Sequence, residues 1–384
     1  MHDSPPRRRR RAPSASSRRL RLWLAAVLAG AVAVAGCRPS AAADRLAADP
    51  LAADIERWSA LVRNHPASDQ GWARIEQSAQ PGLEGAREAL RHGRRLLALS
   101  RLASVRVDVG AAAYVLERSP EQRRTAAGFE AEWTRMAGPL GDDLGSPSPA
   151  ALAGVRPAAA RAMGEAALPQ VRAYYQASLA YGRSTTPQNG YYYLGTAQAL
   201  RQLVAFCRTL AEDFPRRPEP RLRALDAELD ALGAEVLAAY RPPAALDRHG
   251  DFIGAGSLLK EARELNAAGL RYGALLRYLQ AALAAAPLRP APAPPDAGVI
   301  AGRLRELDAR LSAGELDHSI GRLFLEMAQA HLAGAAPRAS AATAAAILDD
   351  VLPRYFAALA PARPAPAAAP AAEVTVTLVR WPYT

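Results

Sequence analysis

Residues 262–287 read Ala-Arg-Glu-Leu-Asn-Ala-Ala-Gly-Leu-Arg-Tyr-Gly-Ala-Leu-Leu-Arg-Tyr-Leu-Gln-Ala-Ala-Leu-Ala-Ala-Ala-Pro. Helix formers fill both halves, Gly269 interrupts them and Pro287 closes the second. The pattern predicts two antiparallel helices over roughly 257–286 that turn at Gly269. The small residues Ala262, Ala274 and Ala281 let such helices approach closely. A second stretch repeats the succession with Ala86-Arg-Glu, Gly93, Ala98 and Leu99. In both stretches the glycine follows the first Ala by seven residues, and the next Ala follows by five.

Outward from these hairpins the chain reads as helices separated by Pro and Gly. Asp49-Pro50 opens one, with Leu51, Ile55, Trp58 and Val62 at helical spacing. Trp72 and Ile75 belong to a second, and residues 84–117 form a long helical region broken at Gly93. Ser119-Pro-Glu-Gln122 has the form of a capping box, ahead of a helix striped by Phe129, Trp133 and Met136. Leu222, Leu225, Leu229, Leu232 and Val236 make a near-heptad seam. Ile300, Leu304, Leu307 and Leu311 define a helix ended by Gly314, and Leu316, Ile320, Leu323 and Met327 define the next. The expected class is all-α, a set of helical hairpins or a bundle. The one strand signal is Glu373-Val-Thr-Val-Thr-Leu-Val-Arg-Trp381, alternating and β-branched.

The hairpin succession of small residue, turn glycine, Ala, aromatic, Ala and Pro resembles the helix-turn-helix unit of tetratricopeptide repeats. The resemblance covers two units, and it implies a solenoid-like stacking of hairpins that binds other proteins.

The N-terminus carries a different signal. Arg18, Arg19 and Arg21 precede the apolar run Leu22–Gly36, which ends in Val34-Ala-Gly-Cys37. A basic start, a short apolar stretch and small residues at a cut site make a secretory signal. The run is shorter than the ~20 apolar residues of a membrane span. Ala35-Gly36 before the cysteine resembles the lipobox of bacterial lipoproteins, which implies lipidation of Cys37. Arg38, where inner-membrane lipoproteins carry Asp, implies the periplasmic face of the outer membrane.

The organisation expected is a signal peptide at 1–36, a tether at 37–50, an N-terminal helical region at 51–140 and a Gly/Ser/Pro linker at 141–150. A central helical region at 151–287, a Pro-rich linker at 288–297 and a C-terminal helical region at 298–360 follow. Residues 361–384 supply an Ala/Pro linker and the terminal strand.

The net charge of +11 belongs mostly to residues 1–36, whose eight Arg face one Asp, so about +4 remains after them. Acids and Arg interleave there, as in Arg221-Leu-Arg-Ala-Leu-Asp-Ala-Glu, which reads as solvated helix faces and not as a nucleic-acid surface. With Cys37 lipidated, Cys207 is the only thiol left, so no internal disulfide forms. Its run Leu203-Val-Ala-Phe-Cys marks it as buried and inert.

Candidate sites are few. Lys260 is the only lysine, and Ser257-x-x-Lys260 resembles the nucleophile motif of penicillin-binding proteins and β-lactamases. The partner motifs Lys-Thr-Gly and Ser-x-Asn are absent, so Ser257 reads instead as an N-cap, or Gly254, Gly256, Ser257 and Lys260 as an anion site at that helix N-terminus. Glu315-x-x-His318 is a lone half of a helical di-iron motif, and no metal or cofactor is expected. Tyr174, Tyr175, Tyr181, Tyr191, Tyr192 and Tyr193 hold half of the 12 tyrosines within twenty residues. They read either as core packing or as a groove offering flat amphipathic rings to a ligand. The function expected is a non-enzymatic envelope scaffold with a membrane anchor at Cys37. It would contact envelope proteins, with residues 373–381 as a docking strand. The alternative is a periplasmic receptor for a ligand or metal.

Overall fold

The computed structural model describes residues 49–360, apart from 67–68, 142–144, 146–147, 185, 211–213, 215, 243–245, 290–295 and 335–336. The signal, Cys37 and the strand expected at 373–381 lie outside the described residues. Helix accounts for 82% of the structure and no strand forms among the described residues, so the class is all-α.

Local sequence chemistry places most helix ends. Helix α1 (Pro50–Arg63) starts where the Asp49 carboxylate accepts the Leu51 N–H at 2.9 Å. Asp69 caps α2 (Gln70–Arg91) in the same way. Ser119 and Gln122 exchange the two bonds of a capping box, 2.9 and 3.2 Å. The box closes a short 3-10 turn at Gln122–Arg124, however, and Thr125 caps the helix behind it, α4 (Ala126–Leu140).

The two related hairpins form with matching turns. Between α2 and α3 (Arg95–Leu116), Gly93 has φ +71°. Between α8 (His249–Ala267) and α9 (Arg271–Ala285), Gly269 has φ +75°. Each glycine ends its helix in a Schellman motif, with Arg94 N–H on Ala89 O at 2.8 Å and Leu270 N–H on Leu265 O at 2.9 Å. Ala86, Ala98, Ala262 and Ala274 are wholly buried between their helices. The second hairpin begins at His249, eight residues before the expected start.

A third hairpin, α5 (Ala158–Gly182) and α6 (Pro187–Thr209), lies between the two. Packing runs side by side in the order α2, α3, α6, α5, α9, α8, with α4 laid over α5 and α6. Helix α7 (Asp226–Ala239) packs on α8. Leu222, Leu225, Leu229, Leu232 and Val236 all bury their side chains, Leu225 as the N-cap of α7 and Leu222 ahead of it. The C-terminal helices are α10 (Ala297–Ala313), α11 (Ser319–Leu332), α12 (Pro337–Ala346) and α13 (Leu352–Ala358), with a π turn at Ile347–Val351. Helix α11 bridges α3 and α5, and Leu316 falls just before it, exposed.

Residues 216–225 form a non-helical strap between α6 and α7. The strap is tied on every side. Asp317 N–H donates to Pro218 O at 2.7 Å, and the Tyr272 hydroxyl donates to Pro220 O at 3.0 Å. Leu222 pairs with Leu359 in an isolated antiparallel bridge. One apolar cluster extends from Leu51 to Ala358, across the stretch at 141–150. Cys207 lies in it, fully buried, and burial pushes its thiol up to about 12, which leaves it protonated and unreactive.

Candidate functional site

The α5/α6 hairpin sorts the six tyrosines into two sets. Its helices meet at Gly182 and Gly190; a Cβ on Gly182 would fall 2.0 Å from the Phe129 ring, and one on Gly190 would fall 2.5 Å from the Gly182 Cα. That closeness lets α4 seat its aromatic stripe on the hairpin. Tyr191 is buried edge-on against Phe129, centroids 5.1 Å apart, and its hydroxyl donates to Gln122 O at 3.1 Å. Tyr175 stacks on Trp133 at 4.6 Å. The two exchange hydrogen bonds, each ring donor reaching the other's backbone carbonyl at 3.1 Å. Tyr175 and Tyr191 are therefore core.

The other four form an outer face. Tyr181 stacks on Tyr193 at 4.4 Å and 19°. Tyr174 tilts against Tyr193 at 5.6 Å, and Tyr192 meets it edge-on at 6.4 Å. Tyr181 and Tyr192 are 43% and 45% exposed. The hydrogen bond with Tyr181 pushes the Tyr193 phenol up to about 12, with burial adding to it. Burial raises the Tyr174 phenol, and the negative charges of Glu261 and Asp108 raise it further. Glu261, on α8, is held by Gln170 at 2.8 Å and Arg277 at 2.9 Å.

The anion site expected at Gly254, Gly256, Ser257 and Lys260 does not form. Because α8 begins at His249, these residues sit inside the helix, where backbone N–H groups are already bonded within it. Lys260 is exposed and lies 3.9 Å from Glu264, one turn on. Glu315 falls outside α11, so it shares no helical face with His318, whose Nδ1 meets the Tyr355 hydroxyl at 2.9 Å. Among the described residues no three His, Cys, Asp or Glu side chains converge as a metal site. No described helix is long and apolar enough to cross a membrane.

Two polar clusters escaped sequence reasoning. In the first, Arg161 bridges Glu165 and Glu219, both at 2.8 Å, and lies 4.4 Å over the Tyr272 ring. Glu165 is wholly buried and accepts the Gly273 N–H at 2.9 Å. Asp317 accepts the Ala158 N–H at 2.7 Å and the Ser319 N–H at 2.9 Å. These groups satisfy one another, which makes them a tie between α5, α9, α11 and the strap. Only the Arg161/Glu165 spacing was visible in sequence; the partners lie far away in the chain.

The second cluster lines a cleft of 160 Å³ between α3, α4 and α6. Glu132 is gripped there by Tyr114, Arg118 and Arg135. Hydrogen bonding from Arg135, with help from Tyr114 and Arg118, lowers its carboxyl to about 2. The Gln198 Oε1 atom, also in the cleft lining, has no partner among the described residues.

No family model matches the chain, and neither a curated protein nor a solved structure matches it.

Proposed function

We propose that the chain is a lipid-anchored helical scaffold of the cell envelope, held at Cys37 and presenting its outer tyrosine face to a partner protein. The anchor rests on Val34-Ala-Gly-Cys37 behind a basic and apolar leader, and Arg38 favours the outer membrane. About a dozen residues separate Cys37 from α1, so the body stays within ~40 Å of the lipid surface. The paired Schellman turns and buried alanines support hairpins of the tetratricopeptide kind. The segment Glu373–Trp381 supplies a second contact, by adding a strand to a partner's sheet edge.

The observation that carries this reading is the stack of Tyr174, Tyr181, Tyr192 and Tyr193 on two packed helices. Tyrosine offers large amphipathic area at low entropic cost, and aromatic residues concentrate in interface cores. The cleft between α3, α4 and α6, at 160 Å³, is smaller than the ~300–1,000 Å³ of ligand pockets, so it does not by itself favour a small-molecule receptor.

Two measurements test it. Palmitate incorporation should vanish in Cys37→Ser; persistent labelling would place the anchor elsewhere. A photoreactive residue at position 181 should give discrete protein adducts in isolated envelopes. One at Leu61, on α1 away from the face, should not. An anchored protein that gives no adduct from position 181 refutes the scaffold reading.

A further inference from the structure

Four arginines around the strap have no acidic partner among the described residues. Arg216 and Arg221, on the strap itself, are exposed and have no hydrogen-bond or ion partner among the described residues. Arg217 and Arg271 donate to backbone carbonyls, Gly314 O at 3.0 Å and Leu222 O at 3.1 Å. The described acids nearby are mostly engaged. Glu228 takes Arg223 at 2.7 Å, Glu219 turns inward onto Arg156 and Arg161, and Asp226 accepts from Asn266 at 2.9 Å. Glu315 is exposed, and Glu212 and Asp213 lie outside the described residues. The strap thus shows solvent a cationic edge. Both ends of the described chain meet it. Asp49, where the tether joins the body, pairs with Arg95, whose guanidinium lies 5.3 Å over the Phe214 ring at the head of the strap. At the other end, Ala360 N–H donates to Arg221 O at 2.8 Å. The outer tyrosines lie away from this edge. Helix α5 runs 25 residues from Ala158, which Asp317 ties to the strap, to Gly182 beside Tyr181, about 37 Å.

We propose that the strap end of the body rests on anionic phospholipid headgroups, with Arg216, Arg217, Arg221 and Arg271 facing the phosphates. The proposal rests on the lipid anchor at Cys37 and adds how the anchored body is oriented. Basic side chains near an anionic leaflet are drawn to it, and a guanidinium grips a phosphate with two N–H groups. The tether joins the body beside these arginines, so lipid anchor and charge act on the same end. Helix α5 then carries the tyrosine face away from the lipid, toward an envelope protein.

The test uses the mature lipidated chain in vesicles, with a fluorophore at Ala224→Cys on the strap or at Ser184→Cys beyond the far end of α5. Cys207 is buried and protonated, so it does not compete for the label. The vesicles carry a headgroup quencher, in phosphatidylcholine alone or mixed with phosphatidylglycerol. In the mixed vesicles the strap probe should be quenched and the probe at 184 should not. Quenching should weaken with added salt. The ratio of docked to undocked chains should drop about fivefold for each of Arg216→Gln and Arg221→Gln. Circular dichroism checks that each variant stays folded. Protein that stays with neither kind of vesicle refutes the anchor, and the proposal with it. Anchored protein whose strap is quenched no more than position 184, or equally in phosphatidylcholine alone, overturns the proposal while the anchor stands. A strap probe that responds to soluble polyglutamate but not to the charged vesicles makes the partner an acidic polypeptide, which also overturns it.

Discussion

Gly273 has no side chain because Glu165 leaves no room for one. A Cβ at position 273 would stand 2.8 Å from the Glu165 Cβ and 2.9 Å from the Ala166 nitrogen. The second contact is backbone, so no rotamer change relieves it. The closeness has a purpose, since the Gly273 N–H supplies one of the bonds that keep the buried Glu165 satisfied. Gly254, inside α8, is the opposite case, with nothing within 4 Å of its built Cβ. The same substitution should therefore have opposite signs at the two sites. Gly273→Ala is expected to destabilise by about 1–3 kcal/mol through overpacking. Gly254→Ala is expected to stabilise by about 0.5–1 kcal/mol through helix propensity. Urea midpoints of the two variants check this, and a destabilised Gly254→Ala would show that the open side of α8 is covered.

At the scale of elements, the α5/α6 hairpin decides what each tyrosine can do. Tyr175→Phe and Tyr191→Phe each remove a hydroxyl bonded to a backbone carbonyl, and each should cost about 1 kcal/mol. Tyr181→Phe, on the exposed face, should cost less than about 0.5 kcal/mol. Equal losses at all three positions would mean that the outer face is covered in the folded protein. The division was legible in part. Tyr174 and Tyr181 are seven residues apart, two helical turns, and so share a face, while Tyr175 is rotated about 100° from Tyr174. What the pattern could not say is which face α4 would cover. The turns at Gly93 and Gly269 were legible because a Schellman glycine is a local device. The capping box at Ser119 was legible too, but not that it closes a 3-10 turn. The anion site failed because Gly254 and Gly256 read as a helix start, although α8 already runs through them. The tie around Glu165 depends on Gly273 and Glu219, which no local pattern connects to it.

At the scale of the molecule, the C-terminal helices close the structure by reaching back to the first hairpin. Glu326, on α11, accepts the Leu97 N–H at 2.8 Å. Helix α3 has no side-chain cap of its own, so a carboxylate 229 residues along the chain satisfies one of its free N–H groups. That position has a cost in protonation. Burial raises the Glu326 carboxyl from 4.5 to about 7, although the backbone bonds of Leu97 and Leu96 and the charges of Arg322 and Arg94 oppose the shift. The sign follows from linkage. A carboxyl with a raised folded pKa favours the folded state fully below pH 4.5, and that contribution is lost as pH rises through about 7. His331, on the same helix, is lowered by burial and by Arg101, so its protonation penalises the folded state as pH falls. A comparison of wild type with Glu326→Gln cancels the histidine and isolates the glutamate. Gln keeps an acceptor for Leu97 and has no charge to bury. Glu326→Gln should therefore be more stable than wild type at pH 8, by about 1 kcal/mol after allowance for partial exposure. The two should converge toward pH 5, where Glu326 is protonated. Thermal melts across pH 5–8 measure the gap directly. A gap that stays constant, or that widens toward acid, would show that Glu326 is ionised in the folded protein throughout and that its tie to α3 is an ordinary charged cap.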